Sequence, residues 1–180
     1  VLVDEKRGKS ILTEPAAIKV AVDFADRHGC VKIFDAGDVQ ANGFQIVTDE
    51  KPGQTITDTG SSYMGFAVSS TLAFALAGGK DYPMAFTGDG SFMMNPQILI
   101  DAVEHGLKGM IVLFDNRRMG AITSLQQSQY NIEFKTDDQV AVDYVQMAEA
   151  VHGVKGFYAE TAQELETVLE KAYRYDGLSL

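Results

Sequence analysis

Hydrophobic and polar positions divide the chain into two kinds of segment: short unbroken apolar runs, and longer stretches in which apolar residues recur every three or four positions. The first long stretch opens at Thr13-Glu14-Pro15, where Thr13 is a natural N-cap and proline is tolerated in the first turn. It carries Ala17, Ile18, Ala21, Val22 and Phe24 as an apolar stripe and stops at Gly29. Residues 31–35 predict a short strand. Residues 36–54 contain Gly37, Gly43, Pro52 and Gly53 with no clear period and read mostly as loop. Residues 55–59 predict a second strand. Over residues 61–77 apolar side chains occupy all sides, the pattern of a buried helix.

Residues 84–87 form the next apolar run, broken by Gly88-Asp89-Gly90-Ser91. Asn95-Pro96 then signals a helix with Ile98, Leu99, Ala102 and Val103 on one face and Gly106 at its end, so the order is strand, glycine loop, helix. Residues 110–114 predict a strand that runs into Asp115-Asn116. Residues 116–142 are weakly periodic and too long for an ordinary connection, which points to function. Further on come a helix over 143–152, a strand over 157–159, and a helix opened by a capping box at Thr161 and Glu164. That helix presents Leu165, Val168, Leu169, Ala172 and Tyr173 on one face. Residues 178–180 begin another strand, as in a piece of a longer chain or in a short edge strand.

Short uncharged strands alternating with helices predict an α/β fold: a doubly wound, mainly parallel sheet with helices on both faces. In such sheets ligands bind beyond the carboxyl ends of the strands, so the loops that begin at Asp35, Thr59, Thr87 and Phe114 are the places to search. Length and composition agree with one folded domain, residues 11–180 behind a leading segment 1–10. The chain has 180 residues, 46% of them hydrophobic and 22% charged. A formal charge of −10 speaks against nucleic acid and anionic membranes as partners. Cys30 is the only cysteine, which rules out an intrachain disulfide and fits a reducing, cytoplasmic setting. No stretch approaches the ~20 apolar residues of a membrane span.

The glycines of Gly88-Asp89-Gly90-Ser91 let backbone amides approach a ligand, and a carboxylate at a strand end can hold a divalent cation that in turn binds phosphate. The plain alternative is an Asp-Gly turn. Asn116 follows Asp89 by 27 residues, after one helix and one strand. A βαβ unit brings two such strand ends out side by side. A carboxylate, an amide oxygen and a backbone carbonyl suit Mg²⁺ completed by phosphate and water. An isolated asparagine here would be a cap.

This combination, with Tyr63-Met64-Gly65-Phe66 upstream and Arg118-Met119-Gly120 downstream, resembles the thiamine-diphosphate motif. The closest resemblance is to the C-terminal cofactor-binding domain of acetolactate synthase-like and pyruvate oxidase-like enzymes, from about Ile11 onward. The resemblance implies Mg²⁺ on Asp89, Asn116 and the backbone carbonyl of Arg118. It implies diphosphate on Gly90 and Ser91, with Met119, Gly120 and Ala121 passing close to it. Met64 takes the place of the apolar residue wedged under the bent cofactor, although outside this pattern it would be an ordinary core methionine. Gly37, Asp38 and Ser62 complete the implied cofactor-binding set. Asp38 and Val39 depart from the polar pair of acetolactate synthases and add a negative charge near the diphosphate.

The implied activity is cleavage or ligation of C–C bonds in 2-oxo acids or related 1,2-dicarbonyls. The glutamate that activates the cofactor belongs to a pyrimidine-binding domain of the same or another chain, so no catalytic residue is assigned here and the isolated chain is expected to be inactive. Homo-oligomerisation is implied as well. Alternatives are a separate small subunit of a sulfopyruvate- or phosphonopyruvate-type decarboxylase, a relative of cyclic-diketone hydrolases, and a non-catalytic flavodoxin-like module. His28, His105 and His152 sit near helix ends, where favourable placement explains them better than catalysis.

Overall fold

The computed structural model of the chain describes residues 2–4, 9–138 and 140–180. Strands Leu2–Asp4 (β1) and Lys9–Ile11 (β2) pair antiparallel, apart from the main sheet. The main sheet holds Val31–Phe34 (β3), Thr55–Thr57 (β4), Pro83–Gly88 (β5), Gly109–Phe114 (β6), Val154–Lys155 (β7) and Leu178–Ser179 (β8). Its order is β4-β3-β5-β6-β8-β7, and every pairing is parallel. The helices are Glu14–His28 (α1), Asp38–Ile46 (α2), Phe66–Leu76 (α3), Asp89–Phe92 (α4), Ile98–Glu104 (α5), Gly120–Tyr130 (α6), Tyr144–Glu149 (α7) and Ala162–Arg174 (α8).

The period-two geometry of the strands divides the core into two layers. Phe34, Met84, Phe86, Met110 and Val112 pack on one face against α1, α2 and α8, through Ile18, Val22, Phe24, Val39 and Leu169. Ile33, Ala85 and Ile111 lie in the opposite layer with Ala67 and Val68 of α3, Leu99 and Ala102 of α5, and Ala148 of α7. Both faces are therefore covered, which explains the largely apolar strands; Lys32 of β3 is the buried exception and is ion-paired. This is the doubly wound α/β fold that the patterning predicts.

Local signals account for several element ends. Gly29 closes α1 in the left-handed region at φ +65°. The capping box of α8 is complete: Glu164 N donates to Thr161 Oγ1 at 3.2 Å, and Thr161 N donates to Glu164 Oε2 at 3.0 Å. His28 stacks on Phe24 with ring centroids 4.2 Å apart and reaches Glu170 at 3.2 Å, a structural setting. The buried Lys32 is ion-paired with Asp26 and with Asp49, the latter at 3.1 Å.

Several expectations are corrected. The stretch read as loop after residue 35 contains α2, and the glycine that suggested a break is a packing glycine: a Cβ on Gly43 would lie 2.4 Å from Cε1 of Phe34. The weakly periodic segment after Asn116 contains α6. Gly88-Asp89-Gly90-Ser91 is no free loop, since Gly88 ends β5 and α4 starts at Asp89, while α5 begins only at Ile98. The strand expected at 157–159 lies instead at β7. Residues 178–179 form an inner strand between β6 and β7, not an edge. The helix over 61–77 shrinks to α3 and is not buried all round: Leu76 is 60% exposed, because no described element covers that side. Among the described residues, no helix is long and apolar enough to cross a membrane.

Candidate functional site

The chain leaves β3 for β4 on one side and returns through α3 to β5 on the other. That reversal creates a crevice at the carboxyl ends of β3 and β5, the usual ligand position in open α/β sheets. Asp35 follows β3 directly and is fully buried. Its Oδ1 accepts from Ala36 N and Gly65 N, each at 2.9 Å, and its Oδ2 accepts from Ala67 N at 3.2 Å and Thr87 Oγ1 at 3.0 Å. One carboxylate thus ties the end of β3, the N-terminus of α3 and the end of β5 into a fixed frame. Gly65, at φ +92°, caps α3 and lets the segment that carries Met64 approach α4.

Asp89 is the first residue past β5, and Asn116 is the second past β6. The register pairs Gly88 with Phe114, so the two residues emerge on neighbouring strands about 4.8 Å apart. Asp89 is buried, whereas Asn116 is exposed. Burial, and secondarily the charge of Asp115, raises the Asp89 carboxyl above its usual range, while backbone N–H groups of Gly90 and Arg117 pull the other way. Asn116 Oδ1 accepts from Arg118 N at 2.9 Å, and its Nδ2 donates to Glu14 Oε2 at 3.1 Å. Glu14 opens α1, and burial raises its carboxyl as well, with Asp38 and Asp89 adding to the effect.

Gly90 forms the floor. A Cβ there would meet Met119 Sδ at 3.1 Å and Met64 Cε at 3.2 Å, so two methionines from separate segments close over one glycine. Ser91 beside it is buried. Gly120 faces Asp38: a Cβ on Gly120 would stand 2.2 Å from Asp38 Oδ2 and 3.8 Å from Asn116 Nδ2. The frame therefore brings Asp38, Met64, Asp89, Gly90, Ser91, Asn116, Met119 and Gly120 to one sheet edge, with Ala121 following in α6. Gly37 caps α2 at φ +79°. Ser62 lies further out, exposed, with its hydroxyl on Gln40 Oε1 at 3.2 Å. The Arg118 guanidinium pairs with Glu133 at 3.1 Å and Asp137 at 3.4 Å, leaving the backbone of this residue as its contribution to the site.

Comparison with known proteins gives the family and the fold. A family model described as thiamine pyrophosphate enzyme, C-terminal TPP binding domain, matches residues 35–180. The chain belongs to this family. It is 36% identical over 156 residues to the 3D-(3,5/4)-trihydroxycyclohexane-1,2-dione hydrolase of Bacillus subtilis, covering 83% of the chain and 24% of that protein. It is 31% identical over 152 residues to the acetolactate synthase isozyme 2 large subunit of Escherichia coli, covering 82% and 27%. The chain thus spans about a quarter of the length of the curated relatives it matches. The fold is that of the benzoylformate decarboxylase from Polynucleobacter necessarius, with a TM-score of 0.81 at 20% identity over 98% of this chain and 33% of that one.

In this TPP-binding domain, sequence reasoning missed Asp35 as the frame, Glu14 as the neighbour of Asn116, and Asn42 as the neighbour of Glu14. Glu14 was visible only as a helix-start residue, and nothing in its spacing ties it to a position 102 residues away. Tyr144 was missed as well. Its ring stands edge-on to Phe92 of α4, with centroids 5.9 Å apart, and burial with the charges of Asp89, Asp115 and Asp138 pushes its hydroxyl up to about 12.

Proposed function

We propose that the chain is the thiamine-diphosphate- and Mg²⁺-binding domain of an enzyme that acts on a 2-oxo acid or a related 1,2-dicarbonyl. The observation that carries this reading is the convergence of Asp89 and Asn116 from paired parallel strands beside a glycine floor under Met64 and Met119. The donor set fits the cation: a carboxylate, an amide oxygen and the Arg118 carbonyl are hard oxygen ligands, and open positions remain for phosphate oxygens and water. Asp89 and Asn116 would hold Mg²⁺ with the Arg118 carbonyl, and Gly90 and Ser91 would hold diphosphate. Gly90 admits a phosphate close to the backbone because it has no Cβ. Met64 and Met119, which close over Gly90, would form an apolar wall beside the bound cofactor.

Thiamine diphosphate, when bound, supplies an acidic carbon that adds to a carbonyl and stores the electron pair released as the neighbouring bond breaks. The chain orients that group and fixes its charge, and none of its residues supplies the glutamate that activates it. That residue is assigned to a pyrimidine-binding domain of the same or another chain, and the exposed Leu76, Met94 and Ile100 support such a packing partner. Between the two substrate classes, the 36% identity to a cyclic-dione hydrolase, against 31% to an acetolactate synthase, favours a 1,2-dicarbonyl.

Titration calorimetry with thiamine diphosphate and Mg²⁺ tests the site. Saturable binding that is lost with EDTA and in Asp89→Ala is the expected result, and unchanged affinity in that variant rejects it. Decarboxylation or carboligation by the purified 180-residue chain alone would contradict the assignment of the glutamate elsewhere.

A further inference from the structure

Asn116 offers a cation either an oxygen or an NH₂ group, depending on which way its amide is turned. Two features decide the orientation. The nitrogen lies 3.1 Å from Glu14 Oε2, and a carboxylate only accepts, so the NH₂ edge must face Glu14. The same edge is the one turned toward Gly120, whose Cβ position would lie 3.8 Å from Asn116 Nδ2 and against Asp38 Oδ2. The oxygen is thereby turned the other way, accepting from Arg118 N at 2.9 Å with one lone pair and keeping the second.

We infer that Glu14 is a positioning residue that locks the Asn116 amide with its oxygen toward the cation. This inference rests on the Mg²⁺ site proposed above. Glu14 is suited to the task by its anchorage. It is the first residue of α1, Pro15 stiffens the backbone next to it, and its other oxygen is within 3.4 Å of Asn42 Nδ2 in α2. A glutamate that served only the helix dipole would point to solvent near its own turn. This one spans to the end of β6 and joins two helices to the site. Such outer partners orient metal ligands and typically change metal affinity 10–100-fold when removed.

The test is Mg²⁺ titration into the full chain with saturating thiamine diphosphate, followed by calorimetry, with thermal unfolding of the cofactor-free variants as a control on folding. Glu14→Ala is expected to weaken Mg²⁺ binding about 10-fold or more while the fold is retained. In an Asn116→Asp background the side chain has two equivalent oxygens, so there is no amide orientation left to fix. There Glu14→Ala is expected to leave Mg²⁺ affinity unchanged or to improve it, because a like charge is removed. A role through general negative charge or through folding would weaken binding in both backgrounds, and that result overturns the proposal. Binding within 2-fold of wild type in Glu14→Ala, with Asp89→Ala abolishing it, overturns the positioning role and leaves the metal site standing. Unchanged affinity in Asp89→Ala removes both.

Discussion

Asp35→Asn isolates the polarity of the buried carboxylate from its shape. Four donors face its two oxygens: Ala36 N, Gly65 N, Ala67 N and Thr87 Oγ1. An asparagine keeps one oxygen and replaces the other by NH₂. If the NH₂ took the Oδ1 position, two backbone N–H groups would be orphaned. In the Oδ2 position the loss is smaller, because Thr87 can turn its hydroxyl to Gly88 O, already 3.3 Å away, and accept from the new NH₂. Only Ala67 N, in the first turn of α3, then lacks an acceptor. One orphaned buried donor costs about 1–3 kcal/mol, and the two bonds kept on Oδ1 each lose their charge assistance, for a total of about 2–4 kcal/mol. Asp35→Ala orphans more donors and opens a cavity, so it should cost more. Urea denaturation of the 180-residue chain, followed by far-UV circular dichroism, reads this directly. With a slope of about 2 kcal/mol/M, Asp35→Asn lowers the midpoint by roughly 1–2 M. A shift below about 0.25 M refutes the reasoning, since it would mean that the four bonds contribute nothing net. Equal losses in the two variants would also refute it, by making shape the cause.

Three further outcomes rest on other parts of the fold. Gly43→Ala drives a Cβ to within 2.4 Å of Phe34, which is fully buried and stacked on Phe86 at 4.5 Å and so cannot yield. Such overpacking costs about 1–3 kcal/mol and lowers the melting temperature by roughly 2–10 °C, and an unchanged value in a thermal scan argues against the helix–strand contact. Burial pushes the Cys30 thiol up to about 12, so the folded state binds that proton more tightly than the unfolded chain does. Its stabilisation is complete below the ordinary value of 9.0 and is lost as pH rises toward 12. Denaturation curves at increasing alkaline pH should show this decline, less steeply in Cys30→Ala, and iodoacetamide should leave Cys30 unlabelled at pH 8 until the chain unfolds. The raised carboxyl of Asp89 has the same sign: its contribution is present at acid pH and is lost as pH rises through its folded value, so its charge opposes folding at neutral pH. Asp89→Asn is therefore expected to raise the thermal midpoint of the cofactor-free chain and, on the proposed reading, to remove the further rise expected from Mg²⁺ with thiamine diphosphate. A lower midpoint in the cofactor-free variant would contradict that sign.

Which features were legible in the sequence depended on how local their signals were. The capping box at Thr161, the Gly29 stop and the apolar runs of β5 and β6 are encoded within a few residues of where they act, and each lies where the pattern puts it. The pairing of Asp89 with Asn116 needed only one long-range rule, that a βαβ unit aligns its strand ends. α2 was hidden because Gly43 serves packing against Phe34, and a packing glycine cannot be told from a turn glycine without the partner. α3 misled in the opposite sense, because apolar composition predicts burial but does not say against what. Asp35 and Glu14 were invisible as site residues for a related reason. Their roles depend on distant donors, Gly65 N 30 residues from Asp35 and Asn116 Nδ2 102 residues from Glu14, and a lone acid at a strand end or helix start has ordinary local explanations.

The balance of charge at the sheet edge bears on how the proposed cofactor is taken up. Asp89 responds to Asp115, Glu14 responds to Asp38 and Asp89, and Tyr144 responds to Asp89, Asp115 and Asp138. These groups share one field, and it is negative. At an effective dielectric near 20, two unit charges 4 Å apart interact by about 4 kcal/mol, so a diphosphate entering this edge alone would meet substantial repulsion. Short helix α4 cannot offset that with a four-residue dipole, and Arg118 is already committed to Glu133 and Asp137. On the reading proposed above, a divalent cation would reverse the sign at the point where Asp89 and Asn116 converge, offsetting both the burial that chiefly raises the carboxyl of Asp89 and the lesser repulsion from Asp115. On the proposed reading, the metal is thus a precondition for the organic cofactor and not an accessory to it. Asp38 sharpens that dependence. It adds charge beside Gly120, so on the same reading the domain would favour the metal-bound form of the cofactor over the free anion.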